Sequence, residues 1–241
     1  MTLIRSAIFL LYFALMTAVL AIAFLPSLVM SRAGAAWLGR HWSLASFWGL
    51  RVFAGTCYEV RGAVPPKGVL VAVKHMSMWD TMAIYALLDD PAIVLKRSLL
   101  NIPFYGWYLN KARMIPIDRE GKASALRAMA AAARAEIAQG RSIAIFPEGT
   151  RKRPGAPPDY KPGVAGLYGQ LAVPCYPVAL NSGLFWTGPM GFLKRKGTIL
   201  VEFLEPIPPG LHRRDFMGRL EVEIETATGR LLVEGRAQLS C

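Results

Sequence analysis

A chain of 241 residues has room for one sizeable domain and an appendage. It is 54% hydrophobic, high for an enzyme that never meets a membrane, and its 28 Lys+Arg against 16 Asp+Glu give a net charge of +12. Three widely spaced cysteines, Cys57, Cys175 and Cys241, exclude a paired disulfide framework and a zinc site, and fit a reducing compartment. The basic excess is uneven: residues 94–161 carry 13 Lys+Arg and 5 Asp+Glu. Such a field attracts anionic headgroups, phosphates or nucleic acid. No helix-turn-helix, zinc-finger or aromatic RNA-binding signature accompanies it, so nucleic acid is set aside.

In chain order, no charge occurs between Arg5 and Arg32. Ala7 to Leu25, as a helix, would be about 29 Å long, close to the ~30 Å hydrocarbon core of a bilayer. A cleaved signal peptide is the alternative. The apolar run exceeds a usual signal core, and Arg32 before Ala33-Gly34-Ala35 is a poor cleavage context. A retained membrane helix ending at Pro26 is expected. Ser27 to about Phe53 predicts a second helix carrying Trp37, Trp42 and Trp48 among Arg32, Arg40 and Arg51, a headgroup-level composition. A helix buried against a neighbouring domain is the other reading. The Arg excess after the first helix keeps the remainder cytoplasmic if that helix spans. Turn-rich Arg61 to Gly68 marks a composition break.

Val69 to Val73 predicts a short buried strand leading into Lys74-His75-Met76-Ser77-Met78-Trp79-Asp80-Thr81. Imidazole exchanges a proton near neutrality, and a carboxylate on its other nitrogen fixes the tautomer. Five residues suits His75 on a strand-to-helix loop and Asp80 in the first helical turn. A buried, hydrogen-bonded histidine beside a helix-start aspartate is the plainer reading of that pair alone. Thr81 to Leu88 continues as helix, and Ala92 to Leu95 is a strand before Lys96-Arg97. The aromatic stretch Ile102 to Tyr108 is either core or the lining of a groove. Ser124 to Gln139 is amphipathic, with Leu126, Met129, Ala130, Ala133 and Ile137 on one face and Arg127 and Arg134 away from it. Ser142 to Phe146 is a strand running into Pro147-Glu148-Gly149-Thr150-Arg151, followed by a basic, proline-rich loop to Pro162. Val173 to Leu180 and Thr198 to Phe203 are further strands; Lys194-Arg195-Lys196 reads as a basic surface turn. Asp215 to Leu232 predicts a helix burying Leu220, Ile224 and Leu231. No internal repeat is found. The alternation predicts an α/β fold: a mostly parallel or mixed sheet flanked by helices, preceded by a two-helix membrane-associating element. His75, Asp118-Arg119 and Glu148 to Arg151 each follow a strand end, the rim where such sheets bind ligands.

His75 with Asp80, followed by Phe146-Pro147-Glu148-Gly149-Thr150-Arg151, resembles the 1-acylglycerol-3-phosphate acyltransferases, with their H-x-x-x-x-D and F-P-E-G-T-R motifs. The aliphatic block Met114 to Ile117 ending in Asp118-Arg119, and Val173 to Ala179 with its Val-Pro pair, match two further blocks. Lys161-Pro162-Gly163 resembles the family's later lysine-glycine element. One departure stands out: many members carry Asn before the motif histidine, where this chain has Lys74.

The resemblance implies a membrane anchor over residues 1–56 and a catalytic domain over 57–241. It implies attack of a glycerol hydroxyl on an acyl thioester, giving phosphatidic acid from lysophosphatidic acid. His75 would be the base and Asp80 its orienter. Arg119 and Arg151, with Lys161, would hold the acceptor phosphate. Glu148 would hold the hydroxyl or orient Arg151, or form a structural ion pair; Gly149, which permits close backbone approach, and Thr150 would also bind substrate at that turn. Ser77 is read as structural. Acyl-CoA or acyl carrier protein would be the donor, with no cofactor and no metal, and membrane lipids would be partners at the cytoplasmic face of the inner or plasma membrane. Rival readings are acylation of glycerol 3-phosphate or a lyso-ornithine lipid, and a silent membrane-binding scaffold. A serine hydrolase is disfavoured because no G-x-S-x-G elbow occurs.

Overall fold

The structure, a computed structural model, describes residues 2–29, 31–118, 122–187 and 191–239. The chain begins with helix α1 (Thr2–Ala23), a 3-10 turn at Leu25–Leu28 and α2 (Arg32–Gly49), which runs on through a π turn at Leu50–Ala54. Pro26 stops α1 because its ring cannot continue the helix ladder. The sequence of strands and helices after that is β1 (Thr56–Arg61), β2 (Leu70–Val73), α3 (Met78–Leu87), β3 (Ala92–Lys96), α4 (Tyr105–Lys111), β4 (Ile115–Ile117), α5 (Lys122–Ile137) and β5 (Ile143–Ile145). Then come α6 (Gly163–Leu171), β6 (Cys175–Leu180), the short pair β7 (Trp186–Thr187) and β8 (Leu193–Lys194), β9 (Gly197–Phe203) and α7 (Arg213–Leu239).

Seven strands form one sheet in the order β1-β9-β6-β2-β5-β3-β4. Five of them, β6 through β4, run parallel; β9 joins β6 antiparallel and β1 pairs parallel with β9. The expected mixed α/β sheet is therefore present, with β1 and α6 as elements that the sequence pattern did not announce. Alternation along β2 explains the two-layer core: Val71 and Val73 pack toward α1, α2 and α3, while Leu70 and Ala72 pack toward α5, α6 and the first half of α7. All four are fully buried, as a central parallel strand requires. Helix α7 buries Leu220, Ile224 and Leu231 as its periodicity predicts.

The N-terminal helices pack directly on this body. Tyr12 lies over Gly49, where an added Cβ would collide with its ring, and Tyr85 lies over Gly39, where an added Cβ would meet its ring at 2.6 Å. Phe9 packs edge-on against Trp186, and Trp42 Nε1 donates to Thr17 Oγ1 at 2.9 Å. Most of α1 is exposed: an 18-residue window has mean hydropathy 2.3 and is 11% buried, long and apolar enough to cross a bilayer.

Lys194 is a correction to the expected surface turn. It is 1% exposed; its ammonium sits 4.1 Å from the Trp186 ring centroid and donates to the Gly191 and Phe192 carbonyls. Its backbone N–H donates to Ser6 Oγ at 2.9 Å, so it fastens α1 to β8. Burial brings this lysine down to about 8. Arg195 and Lys196 do face outward. Cys57 and Cys175 are both free thiols; Cys241 lies outside the described residues.

Arg141 holds the opposite end of the sheet. Its buried guanidinium donates to the carbonyls of Asp90, Pro91, Ala112 and Arg113 and pairs with Glu136 at 2.7 Å and Asp90 at 3.1 Å. Asp90 (φ 50°) and Arg113 (φ 54°) both sit in the left-handed region, and the same fork ties both turns. Arg141→Met should therefore cost about 3–5 kcal/mol, the usual penalty for stranding buried polar partners. Thermal unfolding in detergent would read this as a clear fall in Tm; an unchanged Tm would show that the turns hold themselves.

Candidate active site

The site follows from strand register. β2 and β5 are parallel neighbours with Ala72 opposite Ile145, so continuing both strands three residues brings His75 level with Glu148. The strand ends of β3 and β4 lie along the same rim, bringing Lys96 and Asp118 to it. All of these residues line one cavity of ≈ 1920 Å³. That exceeds the ~300–1,000 Å³ of an ordinary small-molecule site. Its inner wall includes Phe13 and Thr17 of α1, Trp42 of α2, and Phe104, Tyr105 and Tyr108 of the aromatic stretch. Most of the stretch is thus cavity wall, with Phe104 and Tyr105 exposed, while Tyr108 also packs on the core.

Asp80 occupies the first turn of α3, which Ser77 caps. It is completely buried. Its Oδ2 accepts the N–H groups of Met76 at 2.6 Å and Ser77 at 2.8 Å, and lies 3.0 Å from His75 Nδ1. Its Oδ1 accepts the hydroxyls of Ser77, at 3.1 Å, and Ser182. This donor-loaded carboxylate takes its last hydrogen bond from Nδ1–H of His75. That tautomer leaves Nε2 of His75 basic. Phe146 stacks on the imidazole at 4.1 Å between centroids and fixes its plane. The Ser77 and Ser182 hydroxyls, both turned to Asp80 Oδ1, lie 2.8 Å apart. Ser182, from the 3-10 turn after β6, carried no local signal in the sequence; it sits 102 residues from Asp80.

Glu148 is 1% exposed and both of its oxygens are engaged. Oε1 accepts from Lys74 Nζ at 2.7 Å and Oε2 from the His75 backbone N–H at 3.2 Å. Burial pushes its carboxyl up, while Lys74 and the His75 N–H pull the other way. Among the described residues its ion pair is with Lys74 rather than with Arg151. Gly149 has φ 64°, a left-handed turn that only glycine adopts without strain. It turns the chain so that Thr150 and Arg151 stand exposed at the cavity. Lys161 also lines it, bonded to Asp159 at 2.7 Å. Arg119 lies outside the described residues.

Two substitutions test this geometry. Asp80→Asn keeps the shape but disturbs the tautomer, and should lower kcat by roughly 10³-fold or more. Ser182→Ala removes one donor to the same carboxylate and should cost about 1–2 kcal/mol of stability with a smaller loss of kcat. Steady-state kinetics with parallel melting curves checks both; wild-type kcat in Asp80→Asn would detach this pair from turnover.

Comparison with known proteins supplies the remaining link. The family described as Acyltransferase matches residues 57–181. The chain is 32% identical over 219 residues to a 1-acyl-sn-glycerol-3-phosphate acyltransferase from Pseudomonas aeruginosa, covering 90% of this chain and 83% of that relative. It is 28% identical to the human 1-acyl-sn-glycerol-3-phosphate acyltransferase beta, covering 69% and 60% respectively. The crystal structure of the 1-acyl-sn-glycerophosphate acyltransferase PlsC from Thermotoga maritima superposes with a TM-score of 0.78 at 21% identity, covering 96% of this chain and 98% of that one, and so shares its fold. With its motif residues gathered at one rim of that fold, the chain belongs to the acyltransferase family and is an O-acyltransferase.

Proposed function

We propose that the protein transfers a fatty acyl group from a thioester to the free hydroxyl of 1-acyl-sn-glycerol 3-phosphate, making phosphatidic acid. The observation that carries this reading is the joining of the His75–Asp80 pair and the Glu148–Arg151 turn on one cavity that extends to the apolar N-terminal helices. An amphiphilic acceptor needs cations at one end of its site and an apolar wall at the other.

Nε2 of His75 takes the proton of the acceptor hydroxyl as its oxygen attacks the thioester carbonyl. The tetrahedral intermediate collapses, the C–S bond breaks, and the imidazolium returns that proton to the departing thiolate. Asp80 stabilises the imidazolium between the two steps. No acyl-enzyme is required. Arg151, with Arg119 and Lys161, neutralises the acceptor phosphate; guanidinium forks match phosphate oxygens. Gly149 and Thr150 shape the turn that presents Arg151. The donor is acyl-CoA or acyl carrier protein, bound as substrate with no cofactor. Helix α1 seats the enzyme in membrane lipid, with the site at the cytoplasmic face.

Labelled acyl-CoA and acyl carrier protein, offered with lysophosphatidic acid, glycerol 3-phosphate and lyso-ornithine lipid to purified protein, test the assignment. Acylation of lysophosphatidic acid that His75→Ala abolishes is the expected result; transfer only to another acceptor would move the substrate. Arg151→Ala should raise the acceptor KM roughly tenfold or more, the scale of a lost charge-assisted contact. An unchanged KM would remove Arg151 from the phosphate site. Leu15 and Val19 are 59% and 63% exposed on α1, so L15D/V19D should weaken vesicle binding without unfolding the domain. Undiminished flotation with vesicles would relocate the membrane contact.

A further inference from the structure

The residue before the motif histidine, Lys74, is 2% exposed, and its ammonium lies 2.7 Å from Glu148 Oε1 and 2.7 Å from Glu225 Oε1. Glu225 belongs to α7, far from the motifs in sequence. Tyr160, from the loop before α6, donates its hydroxyl to the same Glu225 oxygen at 2.9 Å. Four segments therefore converge on one buried ammonium: the end of β2, the turn after β5, the loop before α6, and α7. A buried cation is stable only when paired, and here one ammonium compensates two carboxylates.

We propose that Lys74 is a positioning residue for acyl transfer: it holds Glu148 in the orientation that accepts the His75 backbone N–H, and so fixes the loop carrying the base. This rests on the reading of His75 given above. Without the ammonium, Glu148 and Glu225 face each other as like charges, and one takes up a proton. In either state Glu148 Oε1 has lost the ammonium that anchors it, so the carboxyl group is free to turn Oε2 away from the His75 N–H. The turn that carries Arg151 has ties independent of His75: Gly149 N–H to Phe146 O at 2.9 Å and Lys161 N–H to Pro147 O at 2.8 Å. Loss of Lys74 therefore disturbs the base more than it disturbs acceptor binding.

The test compares wild type, Lys74→Met, Glu225→Gln and the double variant as full chains in lipid–detergent micelles. It uses lysophosphatidic acid, or glycerol 3-phosphate if the wild-type enzyme uses that better. Lys74→Met should lower kcat about 100-fold with the acceptor KM within about threefold, the scale of a misplaced reacting group. Glu225→Gln, which keeps the Lys74–Glu148 pair, should stay within about threefold of wild type. The double variant removes the like-charge conflict and should recover to about tenfold below wild type. A merely structural role predicts lower melting temperatures with unchanged kcat per folded molecule, and that outcome would overturn the proposal. Should Lys74→Met alone fail to fold, a double variant with wild-type kcat overturns it equally. A wild-type enzyme inactive on lysophosphatidic acid but active on glycerol 3-phosphate would displace the acceptor reading and leave this comparison intact.

Discussion

The buried carboxylate of Asp80 is the constraint on which the site depends. A charge with no exposed surface survives only when its oxygens are fully satisfied. Here the donors come from the motif loop itself, through the Met76 and Ser77 N–H groups and the Ser77 hydroxyl, and from Ser182 beyond β6. Once these are in place, His75 Nδ1–H is the remaining partner, and the ring's basic nitrogen is chosen by elimination. The helix cap and the His75 imidazole are thus one hydrogen-bonded unit. Capping α3 and orienting His75 use the same carboxylate, so helix formation and site assembly occur together.

Parallel register then brings the chemistry to that unit. With β2 between β6 and β5, and β3 and β4 outward from β5, four successive strand ends open on the same side. Equal lengths of chain beyond the paired residues Ala72 and Ile145 bring Glu148 to His75. The turn at Gly149 then separates the roles of neighbouring residues: Glu148 points into the protein, while Thr150 and Arg151 stand at the cavity. One short motif therefore supplies an internal strut and an external cation.

Helices α1 and α2 are walls of the cavity as well as apolar helices. Their inner faces pack on Trp186 and Tyr85, while most of α1 stays exposed. An exposed apolar surface and the cavity lining thus occur on opposite sides of one helix. Lys194 secures this arrangement from beneath, with its charge over the Trp186 and Phe9 rings.

The main elements were legible in the sequence because their signals are local. A charge-free run of helix length, the 3.6-residue period of α5 and α7, and short apolar runs for β2, β5, β6 and β9 are read within single segments. The same holds for His75 and Asp80, whose spacing fits one loop and one helical turn. β1 was hidden because an edge strand beside a turn-rich stretch shows little apolar alternation: Cys57, Tyr58 and Glu59 are all exposed. α6 followed a proline-rich loop and lacked a sequence-visible stop before Val173.

By itself, the sequence determined the α/β class, the apolar N-terminus, the motif pair and the basic character of the region around it. Only the tertiary structure decided that Lys194 is buried rather than at the surface, that Ser182 serves Asp80, and that Lys74 pairs with both Glu148 and Glu225. Those are contacts between residues as much as 188 positions apart, set by strand order and helix packing. No local pattern encodes them, because a side chain's charge partner is chosen by which segments the fold brings within hydrogen-bond reach.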